Sequence, residues 1–253
     1  MPAKGVELNR ATARPFRVRR SSFRDLEHEE QKSQVRAVIV AGGDAHRSDA
    51  RWLADADLVI AADGGAAFLE AVRRRPDVLV GDLDSVDAAL AERLAAEGVG
   101  VERHPAAKDA TDAELAIDRA VTAGARRITV IGALAGERLD HELANVLLLA
   151  DRAWYEATDD LRLVRAGTTV RAVRGPGRLE IEAGPGAMVS LLPLGGDATG
   201  VSTTGLRFPL DGEPLALGRS RGLSNEIVAA PASVSVGAGV LLVVENVTEG
   251  VDA

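Results

Sequence analysis

The chain has 253 residues, 46% of them hydrophobic, enough for one large domain or two modest ones with a filled core. Its 38 acidic and 30 basic side chains leave a formal charge of −8, which disfavours nucleic acid and anionic membrane surfaces as partners. Cysteine is absent, which excludes disulfides, thiolate metal centres and thiol nucleophiles; no apolar run reaches the ~20 residues of a membrane span and no secretory apolar centre is present, so a cytoplasmic protein is expected.

Residues 1–34 mix Arg17, Arg19, Arg20 and Arg24 with Glu27, Glu29, Glu30 and Lys32 and show no apolar periodicity, so a disordered extension is expected. From residue 35, short apolar runs alternate with helical segments, the pattern of a Rossmann-like parallel α/β domain. The runs are Val35 to Val40, Leu58 to Ala62, Val78 to Val80 and Ile128 to Ile131, and glycine or aspartate follows each. In open α/β sheets, ligands bind at the carboxyl ends of strands, so these residues are expected to share one rim. A helix starts near Thr111, with Ala113, Ala116, Ile117, Ala120 and Val121 on one face and Thr111 and Glu114 forming a capping box. Another, from about Asp140 to Ala153, is apolar nearly all round and is expected to be buried.

After about residue 160 the runs become short and β-prone: Leu161 to Val164, Leu179 to Ile181, Met188 to Leu192, Ser233 to Val236 and Val240 to Val244. Glycine and proline separate them, as in a β-sandwich. The expected organisation is therefore an α/β domain over 35–157 followed by an all-β domain over 158–248.

Three clusters carry the chemistry. In Gly81-Asp82-Leu83-Asp84-Ser85, an extended backbone would set two carboxylates on one face, a hard-oxygen site suited to Mg²⁺. The competing reading is a turn in which Asp84 or Ser85 caps the next helix. Lys108-Asp109-Ala110-Thr111-Asp112 opens a helix, where free N–H groups and the dipole favour phosphate. Lys108 is the only lysine beyond the N-terminal segment. Gly136-Glu137-Arg138-Leu139-Asp140-His141 offers Arg138 as a phosphate clamp oriented by Asp140, or a purely structural ion pair. Histidines 28, 46, 104 and 141 have no paired metal spacing.

Together with Asp63-Gly64-Gly65 and Gly222-Leu223-Ser224-Asn225, these motifs, in this order from residue 35 to about 245, resemble the thiamine pyrophosphokinases. The resemblance implies an α/β nucleotide-binding domain, a thiamine-binding β-sandwich and a homodimer with active sites between subunits. It implies transfer of the diphosphate of ATP to the hydroxyl of thiamine, with Mg²⁺ on Asp82, Asp84 and Asp112. Asp63, Gly64, Gly65, Lys108, Asp109, Thr111, Arg138 and Asp140 would line the ATP and transfer region, and Ser224 and Asn225 would contact thiamine; within that region we assign Asp109, as a hypothesis of our own, to the group near the attacking hydroxyl. Glu137 stands where relatives commonly have glycine, and no aromatic residue follows Asn225 to stack on the aminopyrimidine. A pyrophosphokinase for another small alcohol such as a hydroxymethylpterin, a non-catalytic nucleotide-binding adaptor and a metal-dependent phosphohydrolase are the alternatives.

Overall fold

The computed structural model describes residues 35–247, so the expected 1–34 extension lies outside the described residues. Six strands form a parallel array: β1 (Val35–Val40), β2 (Leu58–Ala62), β3 (Val78–Gly81), β4 (Gly100–Arg103), β5 (Ala125–Ile131) and β6 (Asp160–Arg165). Their spatial order is β4-β3-β2-β1-β5-β6. The central strands are covered on both faces, which is why they read as unbroken apolar runs rather than alternating ones. On one face Ile39, Ile60, Val80 and Ile128 pack with Ala116, Ile117 and Ala120 of α3 (Asp112–Thr122). On the other, Val38, Val59 and Leu79 pack with Leu69 of α1 (Gly65–Ala71) and Leu94 of α2 (Ala88–Ala96).

The chain order reverses between β1 and β5: β2, β3 and β4 lie to one side of that pair and β6 to the other. A crevice opens at the carboxyl ends of strands at such a switch point. The capping box at the start of α3 is present as expected, with Thr111 Oγ1 accepting from Glu114 N at 3.2 Å and Glu114 Oε2 accepting from Thr111 N at 3.2 Å.

The helix expected to be buried over 140–153 is not. It is two helices, α4 (Leu139–Leu148) and α5 (Arg152–Ala157), and no residue of α4 is buried. Val146 and Leu148 rest on the core, while Leu139, Leu143 and Leu147 form a stripe at i, i+4 and i+8 facing away from it, exposed by 66%, 55% and 55%. A helix that is apolar all round has a second face to bury, and the described residues cover only one.

The hairpin from β6 into β7 (Thr168–Arg174) begins an antiparallel region that continues the same sheet through β14 (Val240–Asn246), β9 (Met188–Pro193) and β12 (Asn225–Glu226), for ten strands in all. A four-stranded sheet of β8 (Gly177–Ile181), β13 (Ala232–Val236), β10 (Ala198–Thr204) and β11 (Glu213–Leu215) faces it. Val189, Leu191, Leu241 and Val243 from the first sheet meet Val201, Leu215, Val234 and Val236 from the second, the inner layer of a sandwich.

Charges are also buried here. The guanidinium of Arg171 pairs with Glu245, whose other oxygen accepts from Glu182 N at 2.9 Å and Ala183 N at 2.8 Å. Arg162 spans Asp160 and Glu182. Removing one member of a buried pair leaves the other charge uncompensated. Glu245→Ala is therefore expected to cost about 3–5 kcal/mol in denaturant unfolding, whereas Glu156→Ala, at the solvated Arg152 pair, leaves stability unchanged.

Candidate active site

Every strand of the β1-to-β5 group delivers its following loop to the same rim. Asp63, Gly64 and Gly65 follow β2, Asp82 and Asp84 follow β3, Lys108 to Thr111 lead from β4 into Asp112 at the start of α3, and Arg138 precedes α4, whose first turn carries Asp140. The loop after β1 crosses to the loop after β5, with Gly43 N donating to Gly132 O at 3.1 Å and Asp44 N to Ala135 O at 3.4 Å. A Cβ on Gly43 would stand 2.4 Å from Gly132 O, so only glycine permits this backbone contact at the switch point.

One carboxylate oxygen from each of Asp63, Asp82 and Asp112 lies within 4.8 Å of the other two. The third member of this group is Asp63 rather than Asp84. Leu83 takes φ +66°, so the backbone turns between the two aspartates and a spacing of two no longer shares a face. Asp84 is not one of the three: its Oδ1 accepts from Ser85 Oγ at 3.0 Å, while its backbone N–H donates to Asp82 Oδ1 at 3.1 Å. Gly81, at φ +147°, lets the cluster close, since a Cβ there would meet Asp112 Oδ1 at 3.0 Å and Asp63 Cβ at 3.1 Å.

Three carboxylates this close repel one another, and one cation of the chain answers them. Lys108 Nζ donates to Asp112 Oδ1 at 2.9 Å and stands 3.6 Å from Asp82 Oδ2. Burial opposes the charge on Lys108, yet Asp112 and Asp82 hold its ammonium above the usual lysine range. The Asp84 N–H, with Lys108 assisting, lowers the Asp82 carboxyl. Asp63 goes the other way: burial raises it, and the charges of Asp112 and Asp82 add, against hydrogen bonds from Ser85 and the Gly64 N–H. Its Oδ1 is buried and has no hydrogen-bond partner. An orphaned carboxylate oxygen facing two further carboxylates is a donor set for a hard divalent cation, and the residues fit Mg²⁺.

Arg138 and Asp140 pair with each other in solvent, and the guanidinium lowers the Asp140 carboxyl. Asp109 is exposed beside Lys108, and Thr111 Oγ1 serves as the helix cap. Ser224 and Asn225 lie far from this rim. Asn225 is in β12, at the opposite edge of the ten-stranded sheet and eight strand spacings from β3. At about 4.8 Å per spacing, that separates them by roughly 38 Å along the sheet. Ser224 takes φ +57°, a strained conformation for a residue with a Cβ, and its N–H donates to Ser190 Oγ at 3.0 Å.

No aromatic side chain lies downstream of Asn225. The structure places one upstream: Phe208 N donates to Asn225 Oδ1 at 3.0 Å and Asn225 Nδ2 donates to Phe208 O at 2.7 Å, with the Phe208 residue 66% exposed. Phe208 is the only aromatic residue after Tyr155, in a loop with Pro209, and that isolation was the available signal.

Because ionised Asp63 is penalised where it stands, Asp63→Asn should raise the melting temperature of the metal-free protein at pH 7 while removing activity. The sign follows from the raised carboxyl: its charge costs stability as pH climbs through its titration, so the gain should shrink as pH falls from 7 to 4. Scanning calorimetry at pH 7 and pH 4 measures this, and a lower melting temperature at pH 7 would show that the charge is compensated.

Two family models match the chain: the thiamin pyrophosphokinase catalytic domain over residues 49–158 and the thiamin pyrophosphokinase vitamin B1 binding domain over 178–241. The chain is 28% identical over 190 residues to the thiamine pyrophosphokinase of Bacillus subtilis (strain 168), covering 75% of this chain and 87% of that one. The crystal structure of thiamine pyrophosphokinase from Bacillus subtilis superimposes with a TM-score of 0.74 at 27% identity, over 83% of this chain and 98% of that one. That of Geobacillus thermodenitrificans gives 0.71 at 27% identity, over 85% and 98%. Yeast thiamin pyrophosphokinase, at 15% identity and a TM-score of 0.68 over 87% and 88%, shares the fold. With both domain models matched in order across more than half its length, the chain belongs to the thiamine pyrophosphokinase family.

Proposed function

We propose that this chain, as a cytoplasmic enzyme, transfers the diphosphate of ATP to the hydroxyl of thiamine at a Mg²⁺ site on its own acidic rim, with thiamine held by a second copy. The observation that carries this reading is the convergence of Asp63, Asp82 and Asp112 at the carboxyl ends of a parallel sheet, one of them with an orphaned oxygen. A match to the vitamin B1 binding domain over 178–241 favours thiamine over a pterin alcohol, and the catalytic-domain match favours an enzyme over an adaptor.

In the reaction, a bond forms between the hydroxyl oxygen of thiamine and the β-phosphorus of ATP, and the bond from that phosphorus to the α–β bridging oxygen breaks, releasing AMP. Transfer of this kind depends on positioning and on stabilising charge at the phosphates. Bound Mg²⁺ would neutralise the phosphate oxygens, and Asp63, Asp82 and Asp112 would hold it. Lys108, already drawn in by Asp112 and Asp82, offsets charge on the transferring group. Arg138 is exposed and oriented by Asp140, placed to follow the leaving AMP. Asp109 accepts the proton of the attacking hydroxyl. Gly64 and Gly65 allow close backbone approach for the nucleotide, and Thr111 sits at the start of α3, whose dipole favours phosphate.

The division of labour is between residues 35–157, for nucleotide and metal, and residues 158–248, for thiamine. Ser224 and Asn225 contact the vitamin, and Phe208 offers the aminopyrimidine a flat face, worth about 0.5–1.5 kcal/mol as a stacking partner. A span of roughly 38 Å from β12 to β3 is far longer than thiamine. The half-sites therefore meet across a homodimer, which also gives the Leu139, Leu143 and Leu147 stripe a surface to cover.

A coupled AMP-release assay with ATP and Mg²⁺ tests the reading. AMP formation is expected to require thiamine and to vanish in Asp82→Asn, while Phe208→Ala raises KM for thiamine several-fold with little change in KM for ATP. AMP release that ignores thiamine, or full activity in Asp82→Asn, would contradict it.

A further inference from the structure

We infer that Arg165 and Asp49 are positioning residues for ATP: they fix the glycine loop after β1 to the turn at which the chain enters its antiparallel half. This rests on the reading that ATP occupies the crevice between β1 and β5. The loop itself has little to hold it. Gly42 and Gly43 are exposed; beyond Ala41 N, which donates to Ile131 O at 2.8 Å, its bonds to the β5 side are the backbone contacts to Gly132 and Ala135, the second at 3.4 Å.

On its other side the loop is held by the β6–β7 turn. Arg165, the last residue of β6, donates from one terminal guanidinium nitrogen to Asp44 Oδ2 at 2.7 Å and from Nε to Asp44 O at 3.3 Å, so one side chain grips both the carboxylate and the backbone of the residue next to Gly43. Immediately behind it, Asp49 is wholly buried, a costly place for a charge unless its oxygens are satisfied. They are satisfied by Ala166 N, donating to Oδ1 at 2.7 Å, and by His46 N, donating to Oδ2 at 3.2 Å. Ala166 takes φ +51°, unfavourable for a residue with a Cβ, and its carbonyl accepts from Arg51 at 2.6 Å.

The segment 44–51 is thus tied to two consecutive residues of one hairpin turn by four hydrogen bonds, and braced internally by a fifth from His46 N to Asp49. Side chains with this much investment at a turn do more than close it. Asp44 also carries a negative charge at the rim where a triphosphate would lie, and Arg165 neutralises it in place. Without Arg165, the loop loses its outer anchor and the nucleotide meets an unpaired carboxylate. Losing the partly exposed Arg165 pair should cost little global stability, so binding and stability separate cleanly.

Calorimetric titration with a non-hydrolysable ATP analogue, on the full chain with Mg²⁺, tests this in Arg165→Ala, Asp44→Asn and the double variant, alongside KM for both substrates. Arg165→Ala is expected to weaken analogue binding five- to tenfold and raise KM for ATP, with KM for thiamine and the melting temperature nearly unchanged. Asp44→Asn should be milder because it removes the repulsive charge with the anchor, and the double variant should bind better than Arg165→Ala alone. Equal binding by Arg165→Ala and the parent, or a melting temperature that falls while binding does not, would overturn the inference. Hydrogen exchange separates this failure from failure of the underlying reading. If the amides of Gly42, Gly43 and Asp44 gain no protection from the analogue in the parent protein, ATP does not use this crevice and the inference falls with it. If they are protected and Arg165→Ala still binds normally, only the positioning role is lost.

Discussion

One hydrogen-bonded ladder of ten strands governs the arrangement of everything else. The parallel strands bring four acid- and glycine-bearing loops to a single rim, and the hairpin from β6 to β7 carries the same sheet onward into the sandwich. That continuity fixes distance as well as direction. The residues on β3 and β12 cannot approach each other by flexing a linker, because the strands between them are paired throughout. On the proposed reading, a chain built this way carries its metal and thiamine half-sites at opposite edges, and a second copy is the simplest way to bring complementary halves together.

The rim sustains an electrostatic arrangement that a purely structural site would avoid. Asp63, Asp82 and Asp112 face one another with Lys108 as their close cation, and the Asp63 carboxyl is raised by its burial and its acidic neighbours. The backbone is shaped to permit this, with Gly81 and Leu83 both at positive φ on either side of Asp82. In the sandwich, both oxygens of the buried Glu245 carboxylate are met, one by the Arg171 guanidinium and the other by the Glu182 and Ala183 N–H groups. The contrast between that satisfied carboxylate and the orphaned oxygen of Asp63 at the rim separates stability from chemistry in the same fold.

Much of this was legible in the sequence, for identifiable reasons. Central parallel strands are buried on both faces, so β1, β2, β3 and β5 stand out as apolar runs, and the α3 start announces itself through Thr111 and Glu114. The β7 strand did not stand out, because Arg171 is buried within it and its compensation by Glu245 comes from a strand about seventy residues away. The exposed face of α4 was misread because apolarity all round states how much must be covered and not by which chain. Membership of the acidic cluster depended on a backbone turn at Leu83, and the aromatic beside Asn225 on a loop packing back across the sandwich; neither is a local property of the motif.

The central claim is that each active site combines the acidic rim of one copy with the Phe208 and Asn225 surface of the other. Mixing an inactive Asp112→Asn protein with an inactive Asn225→Ala protein, under conditions that exchange subunits, measures this directly. In a mixed dimer, one site receives both defects and the other receives neither, so thiamine-dependent AMP release should reappear at about one quarter of the parent rate per chain for random pairing. If exchange is demonstrated and activity does not return, both half-sites belong to the same chain and the account of a shared site is wrong.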